Sequence, residues 1–198
     1  MEEIFATFQD KKKFIWLSSI IFIVGIIIGY LSLSYHPEFV ISNMKKLMGN
    51  VLEISKAMKE RNWVYIVGLI FQNNLKALLI VIFGGIVFGI IPFLGILFNG
   101  FVVGAVSALN FLKGNSLAFF IASLLPHGIL ELPVIIVGGA FGLKLGYDII
   151  IPRGKKRIAL IKENLRDSTL ALGILLPLLF VASIIETVIT PAIAKVFL

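Results

Sequence analysis

Two side chains able to do chemistry stand where the chain is otherwise apolar. His127 and Glu131 lie four residues apart within residues 116–147, SLAFFIASLLPHGILELPVIIVGGAFGLKLGY, a run of membrane length. On a helix that spacing puts both on one face. A third ionisable group, Glu186, sits in the last apolar run beside Thr187 and Thr190, while Asn73, Asn74 and Asn99 interrupt two other apolar stretches. A charge near the centre of a bilayer costs several kcal/mol unless it is paired, neutralised or turned to a wet cavity, so these groups mark a candidate site.

Three kinds of chemistry fit this set. The imidazole, carboxylates and asparagines can satisfy one another as a polar cluster that fixes helix register, because polar groups in lipid must find partners in the protein. They can move a proton or an ion, since interrupted helices with polar groups at mid-membrane recur in secondary transporters. Or His127, Glu131 and Glu186 can hold a divalent metal, imidazole with carboxylates suiting zinc. Against an intramembrane metal-dependent hydrolase, H-x-x-x-E supplies one histidine, H-E-x-x-H is absent, and the other histidine, His36, falls at the far end of the first apolar run. The sequence has no P-loop lysine pattern and no nucleophilic triad, Ser123 being merely near His127. No resident cofactor is expected.

The elements that must position these groups follow from composition. At 198 residues, 59% hydrophobic and 15% charged, the chain is too apolar for an ordinary globular domain. It reads as an all-α, polytopic helical bundle with a single membrane domain over 14–198, after a cytoplasmic lead of residues 1–13. The spans expected are 14–33, 63–91, 92–112, 116–146 and 169–191. The first run is too long for a signal peptide's apolar core and lacks a small-x-small cleavage site, so it is read as retained. With no cysteine, disulfides and thiolate sites are excluded.

Several boundaries rest on punctuation. Pro126 and Pro133 each remove a backbone donor, which predicts a fourth span that is broken or kinked. Pro92 and Gly95 mark the reversal between spans two and three, with a re-entrant hairpin over 75–100 as the alternative. Val40, Met44, Leu47, Val51, Ile54 and Met58 recur every three or four residues, predicting an amphipathic helix over about 38–60, either at the interface or packed on the protein. Residues 144–167 read as a basic loop in which 157–167 form a short surface helix. Gly25/Gly29, Gly85/Gly89, Gly100/Gly104, Gly138/Gly142 and Gly142/Gly146 have the four-residue spacing that lets helix backbones approach closely.

The net charge of +7 is read as basic loops facing anionic headgroups, not as a nucleic-acid surface. With the N-terminus inside, the inner side carries ten Lys and Arg against seven outside, with Lys76 left within a span. That bias predicts a cytoplasmic N-terminus in the cell membrane.

The wording of several segments adds a resemblance. P-H-G-I-L-E-L-P followed by G-G-A-F-G-L-K-L-G, with F-Q-N-N at 71–74, I-P-F-L-G-x-x-x-N-G from Ile91 and I-E-T-V-I-T-P from Ile185, resembles landmarks of the stage II sporulation protein M family in the same order. The resemblance covers about residues 63–195. It implies an integral membrane protein, and in endospore formers members of the family sit with peptidoglycan-degrading partners. The function expected is a non-enzymatic scaffold or membrane-assembly component. Its partners are the lipid bilayer and either further copies of the chain or other membrane proteins. Ion-coupled transport is the alternative, and a metal-dependent hydrolase the third reading.

Overall fold

A computed structural model describes residues 7–47, 62–152 and 154–197. Among them every regular element is helical. The helices are α1 (Lys12–Tyr35), α2 (Pro37–Leu47), α3 (Trp63–Phe83), α4 (Ile90–Leu112), α5 (Leu117–Ile150) and α6 (Arg157–Ile184), followed by a π turn (Ile185–Ile189), the short α7 (Thr190–Ala194) and a closing 3-10 turn (Lys195–Phe197). Local signals set their ends. The Asn62 side chain accepts the Val64 N–H at 3.2 Å and Ser116 Oγ accepts that of Phe119 at 3.1 Å, each satisfying a donor that a helix start leaves free. α1 stops at His36, where the following proline disfavours helical backbone.

Among the described residues, five helices are long and apolar enough to cross a membrane; once α3 is counted with its 3-10 turn to Ile86, the shortest is α4 with 23 residues. At about 1.5 Å per residue it exceeds a hydrocarbon core of about 30 Å. The all-α, five-span architecture read from composition therefore stands.

Three details differ from the sequence reading. The reversal between the second and third spans falls at Gly84–Gly89, where Phe88 and Gly89 take left-handed φ values of 52° and 77°, and not at Pro92 and Gly95. Pro92 is the third residue of α4, inside the first turn, where an amide has no intrahelical partner to lose. Residues 75–100 thus belong to two long helices joined by a tight turn. The fourth span is not broken: α5 runs 34 residues through Pro126 and Pro133. The prolines withhold two bonds, from the carbonyls of Ala122 and Ile129, and the turns on either side carry the helix on. The change in hydrogen-bond register comes in the last span instead, at the π turn. Finally, residues 157–167 are no separate surface helix but the first turns of α6, which with the turns after it extends to Phe197. Of the amphipathic segment, α2 covers Pro37–Leu47 and seats Val40 against Leu33, Ala105 and Ala108, while 48–60 lie outside the described residues.

Glycine governs how the helices meet. Gly25 and Gly29 of α1 lie against the backbone of Leu97, Gly100 and Phe101 in α4, and Gly100 and Gly104 lie against Phe22 and Ile26 in return. A Cβ on Gly29 or Gly104 would run into a carbonyl oxygen of the facing helix. Gly85 meets Gly142, and Gly146 meets Gly89, so the α3–α4 turn is held on α5 the same way. Buried Ser18 adds a cross-helix bond, its hydroxyl donating to the Ile136 carbonyl at 2.6 Å. The apolar core between α3, α5 and α6 is built from Leu78, Ile82, Val134, Ile135, Phe141, Ala171, Leu175 and Leu179.

The described end of the lead, residues 7–11, is part of the fold. Lys11 is 1% exposed, pairs with Asp167 of α6, lies 3.4 Å from Asp10 and stands 5.2 Å over the Phe141 ring, which Phe8 meets edge-on. Nearby, Asp148 takes the Lys144 ammonium and, at 2.8 Å, the Asn164 amide. At the surface of the loop before α6 stands an exposed Lys155–Glu163 pair at 2.9 Å, in which the glutamate holds Lys155 above the ordinary lysine range.

Two predictions follow from this packing. Gly29→Ala and Gly104→Ala should each lower stability by about 1–3 kcal/mol through overpacking, whereas Gly68→Ala, whose Cβ would meet nothing within 4 Å, should be neutral or slightly stabilising. Unfolding in detergent reads both. By the same measurement Asp167→Ala, which leaves a buried ammonium short of its partner, should cost about 3 kcal/mol, while Glu163→Gln should leave the midpoint in place.

Candidate functional site

α5 places His127 and Glu131 one turn apart on one face, and the π turn presents Glu186 to them. A nitrogen of His127 and a carboxylate oxygen of each glutamate all lie within 4.8 Å of one another. The residues come together although nearly sixty positions separate them. A π turn accommodates one residue more than an α turn and occurs often at functional sites. Here it carries Glu186 and immediately precedes Thr190, whose hydroxyl oxygen is 3.2 Å from His127 Nδ1.

The asparagines divide. Asn74 of α3 hydrogen-bonds the Glu131 side chain, and Asn73 Nδ2 stands 3.4 Å from Asn74 Oδ1, one step further out. Asn99 of α4 donates to its own helix, to the Gly95 carbonyl at 2.8 Å, and lines a cavity of about 110 Å³ with His127 and Glu131. Phe22, Val102, Val103, Leu132 and Ile135 supply apolar wall. All three ionisable groups are half-buried, so the site is a polar notch between helices and not a sealed core. Among the described residues, no lysine or arginine is within ion-pair distance of Glu131 or Glu186.

The sequence named His127, Glu131, Glu186, Asn73, Asn74 and Asn99, and four of these six are in or directly bonded to the cluster, with Asn99 across the cavity and Asn73 behind Asn74. Pro126 and Pro133 flank the site within α5. Thr190 was visible only as a neighbour of Glu186, and nothing in its spacing announces a bond to a residue 63 positions earlier. Chemically, an imidazole and two carboxylates this close form one coupled system, because a charge within about 4–6 Å changes the protonation of its neighbour.

A family model described as stage II sporulation protein M matches residues 18–191, from within α1 to α7, and so takes in all five long helices and every member of the cluster. The chain belongs to the stage II sporulation protein M family. The match reaches further toward the N-terminus than the motifs that suggested it. Two similar proteins, both described as uncharacterized, come from Methanocaldococcus jannaschii. One is 31% identical over 183 residues, covering 92% of this chain and 96% of its own, and the other is 30% identical over 209 residues, covering 99% and 90%. No solved structure matches. This family member is therefore a multi-pass membrane protein whose polar cluster lies within the part that defines the family.

If the two carboxylates act as one system, Glu131→Gln and Glu186→Gln should not be additive. A double-mutant cycle on unfolding in detergent should give a coupling of about 0.5–3 kcal/mol, and a coupling near zero would mean that they are separate packing features.

Proposed function

We propose that this protein is a non-enzymatic scaffold or assembly component of the cell membrane, working with further copies of itself or with other membrane proteins, with its N-terminus in the cytoplasm. The observation that carries the reading is the cluster's reach: through Asn74, the His127/Glu131 pair, Glu186 and Thr190 it joins α3, α5 and the C-terminal segment. Bonds of this kind lock register, which an assembly component needs so that it presents one fixed surface. The association of family members in endospore formers with peptidoglycan-degrading partners supports the same class of role, and the lysines and arginines near the loop end of α5 and α6 support the orientation.

A second reading, ion- or proton-coupled transport, is favoured by a specific observation: two titratable groups of α5, His127 and Glu131, line a small cavity, and Glu186 from the π turn of another span lies within 4.8 Å of both. Two measurements separate the readings. For a scaffold, His127→Ala and Glu131→Gln should lower stability by about 1–3 kcal/mol through groups left unpartnered, and wild-type protein in liposomes should pass protons no faster than empty vesicles. A pH-dependent wild-type flux, abolished by Glu131→Gln in protein that still folds, would replace the scaffold by a transporter.

A further inference from the structure

We infer that His127, Glu131 and Glu186 bind one divalent transition-metal ion, zinc by the chemistry of the donors, which clamps α5 to the C-terminal end of the last span. The inference uses the same convergence that the assembly reading treats as a register lock, and it gives that lock a ligand.

The first argument is charge. Two carboxylates face each other at membrane depth, and among the described residues no basic side chain pairs with either. Asn74 brings a hydrogen bond to Glu131 but no charge. Carboxylates that keep their charge in that position are stable when paired or coordinating a metal. A dication matches two carboxylates beside a neutral imidazole.

The second argument is donor type and distance. One imidazole nitrogen and two carboxylate oxygens are donors of the kinds zinc takes, and three protein ligands leave the fourth position to water. With bonds of about 2.0–2.2 Å, ligands around a tetrahedral ion sit roughly 3.4 Å apart. Donor atoms that already lie within 4.8 Å of one another need to draw together by at most about 1.4 Å to share one ion. The three residues come from two spans, and Glu186 lies in the π turn that precedes α7.

The third argument is what surrounds the donors. A ligating imidazole is held by a hydrogen bond at its other nitrogen, and a ligating carboxylate is itself hydrogen-bonded. With Nε2 as the ligand atom, Thr190 beside His127 Nδ1 supplies the first kind of support, and Asn74, which bonds Glu131, supplies the second. The cavity of about 110 Å³ next to His127 and Glu131 is large enough for water at the remaining position, a water molecule occupying about 30 Å³. The ion here is structural. It spans two helices, and its loss should be felt as a loosened C-terminal segment.

The test uses full-length protein carrying a purification tag free of histidine, in detergent and in lipid nanodiscs. Elemental analysis without added metal, followed by chelator stripping and titration with zinc, magnesium and manganese, should find about one zinc per chain and a rise in melting temperature with zinc. Glu186→Gln and His127→Gln should weaken zinc by more than about 100-fold, and Thr190→Val, which removes only an outer support, by about 10–100-fold. Because Glu186→Gln removes a ligand from the end of the last span, its melting temperature should equal that of stripped wild type and ignore zinc. Wild type that takes up no zinc after titration, or Glu186→Gln that binds as tightly as wild type, overturns the inference. If stripped protein loses stability with His127→Ala yet never binds zinc, the register lock stands and the metal falls. If zinc binds but stripping leaves stability unchanged, the clamp falls.

Discussion

Lipid offers no hydrogen bond and no counter-charge, so every polar atom taken to membrane depth must be met by another part of the protein. In this bundle that requirement is met at one place by side chains from α3, α5 and the segment after α6. Asn74, Glu131, His127, Glu186 and Thr190 gather there: Asn74 bonds Glu131, Thr190 stands 3.2 Å from His127 Nδ1, and the second carboxylate, Glu186, lies within 4.8 Å of the histidine and Glu131. The π turn belongs to the same solution, since it turns Glu186 and Thr190 toward α5 without ending the span.

The second organising contact is the absence of side chains. α1 and α4 touch through glycine on both sides, and the turn between α3 and α4 touches α5 through glycine again. With no hydrophobic drive between helices in lipid, close backbone approach supplies the dispersion contact that holds them. Ser18, bonded to the Ile136 carbonyl, lies between these two kinds of contact: it is small enough for the interface and polar enough to bridge it. Together the glycine faces place Asn99 and Phe22 around the cavity beside His127.

Much of this was legible in the chain. Hydropathy alone yields five long helices, the glycine spacing marks the faces that meet, and charge in an apolar run singles out His127, Glu131 and Glu186. What was not legible has physical causes. Pro92 looks like a stop, but a proline within the first turn of a helix loses no bond, and the real reversal uses Gly84, Gly85 and Gly89 in a segment with no polar signal. Pro126 and Pro133 look like breaks, but a helix of 34 residues continues past two missing bonds. The charges of residues 157–167 resemble a loop by hydropathy, although a helix can carry its span and its polar extension without a joint. The partnership of Thr190 with His127 joins residues 63 positions apart just past the π turn, and no spacing in the chain marks either.

The pairing of Lys11 with Asp167 has a consequence for the order in which the molecule is made. The two are 156 positions apart, and the lysine's seat against Phe141 does not exist until α5 is in place. At about 5–20 residues per second, synthesis separates the two ends of that pair by roughly 8–30 s. For that interval the ammonium has to stay in water, which holds the start of the first span at the membrane surface while later spans insert. When α6 arrives, the same residue gives up its hydration and closes the bundle, so one side chain first anchors the nascent chain and then seals the finished one.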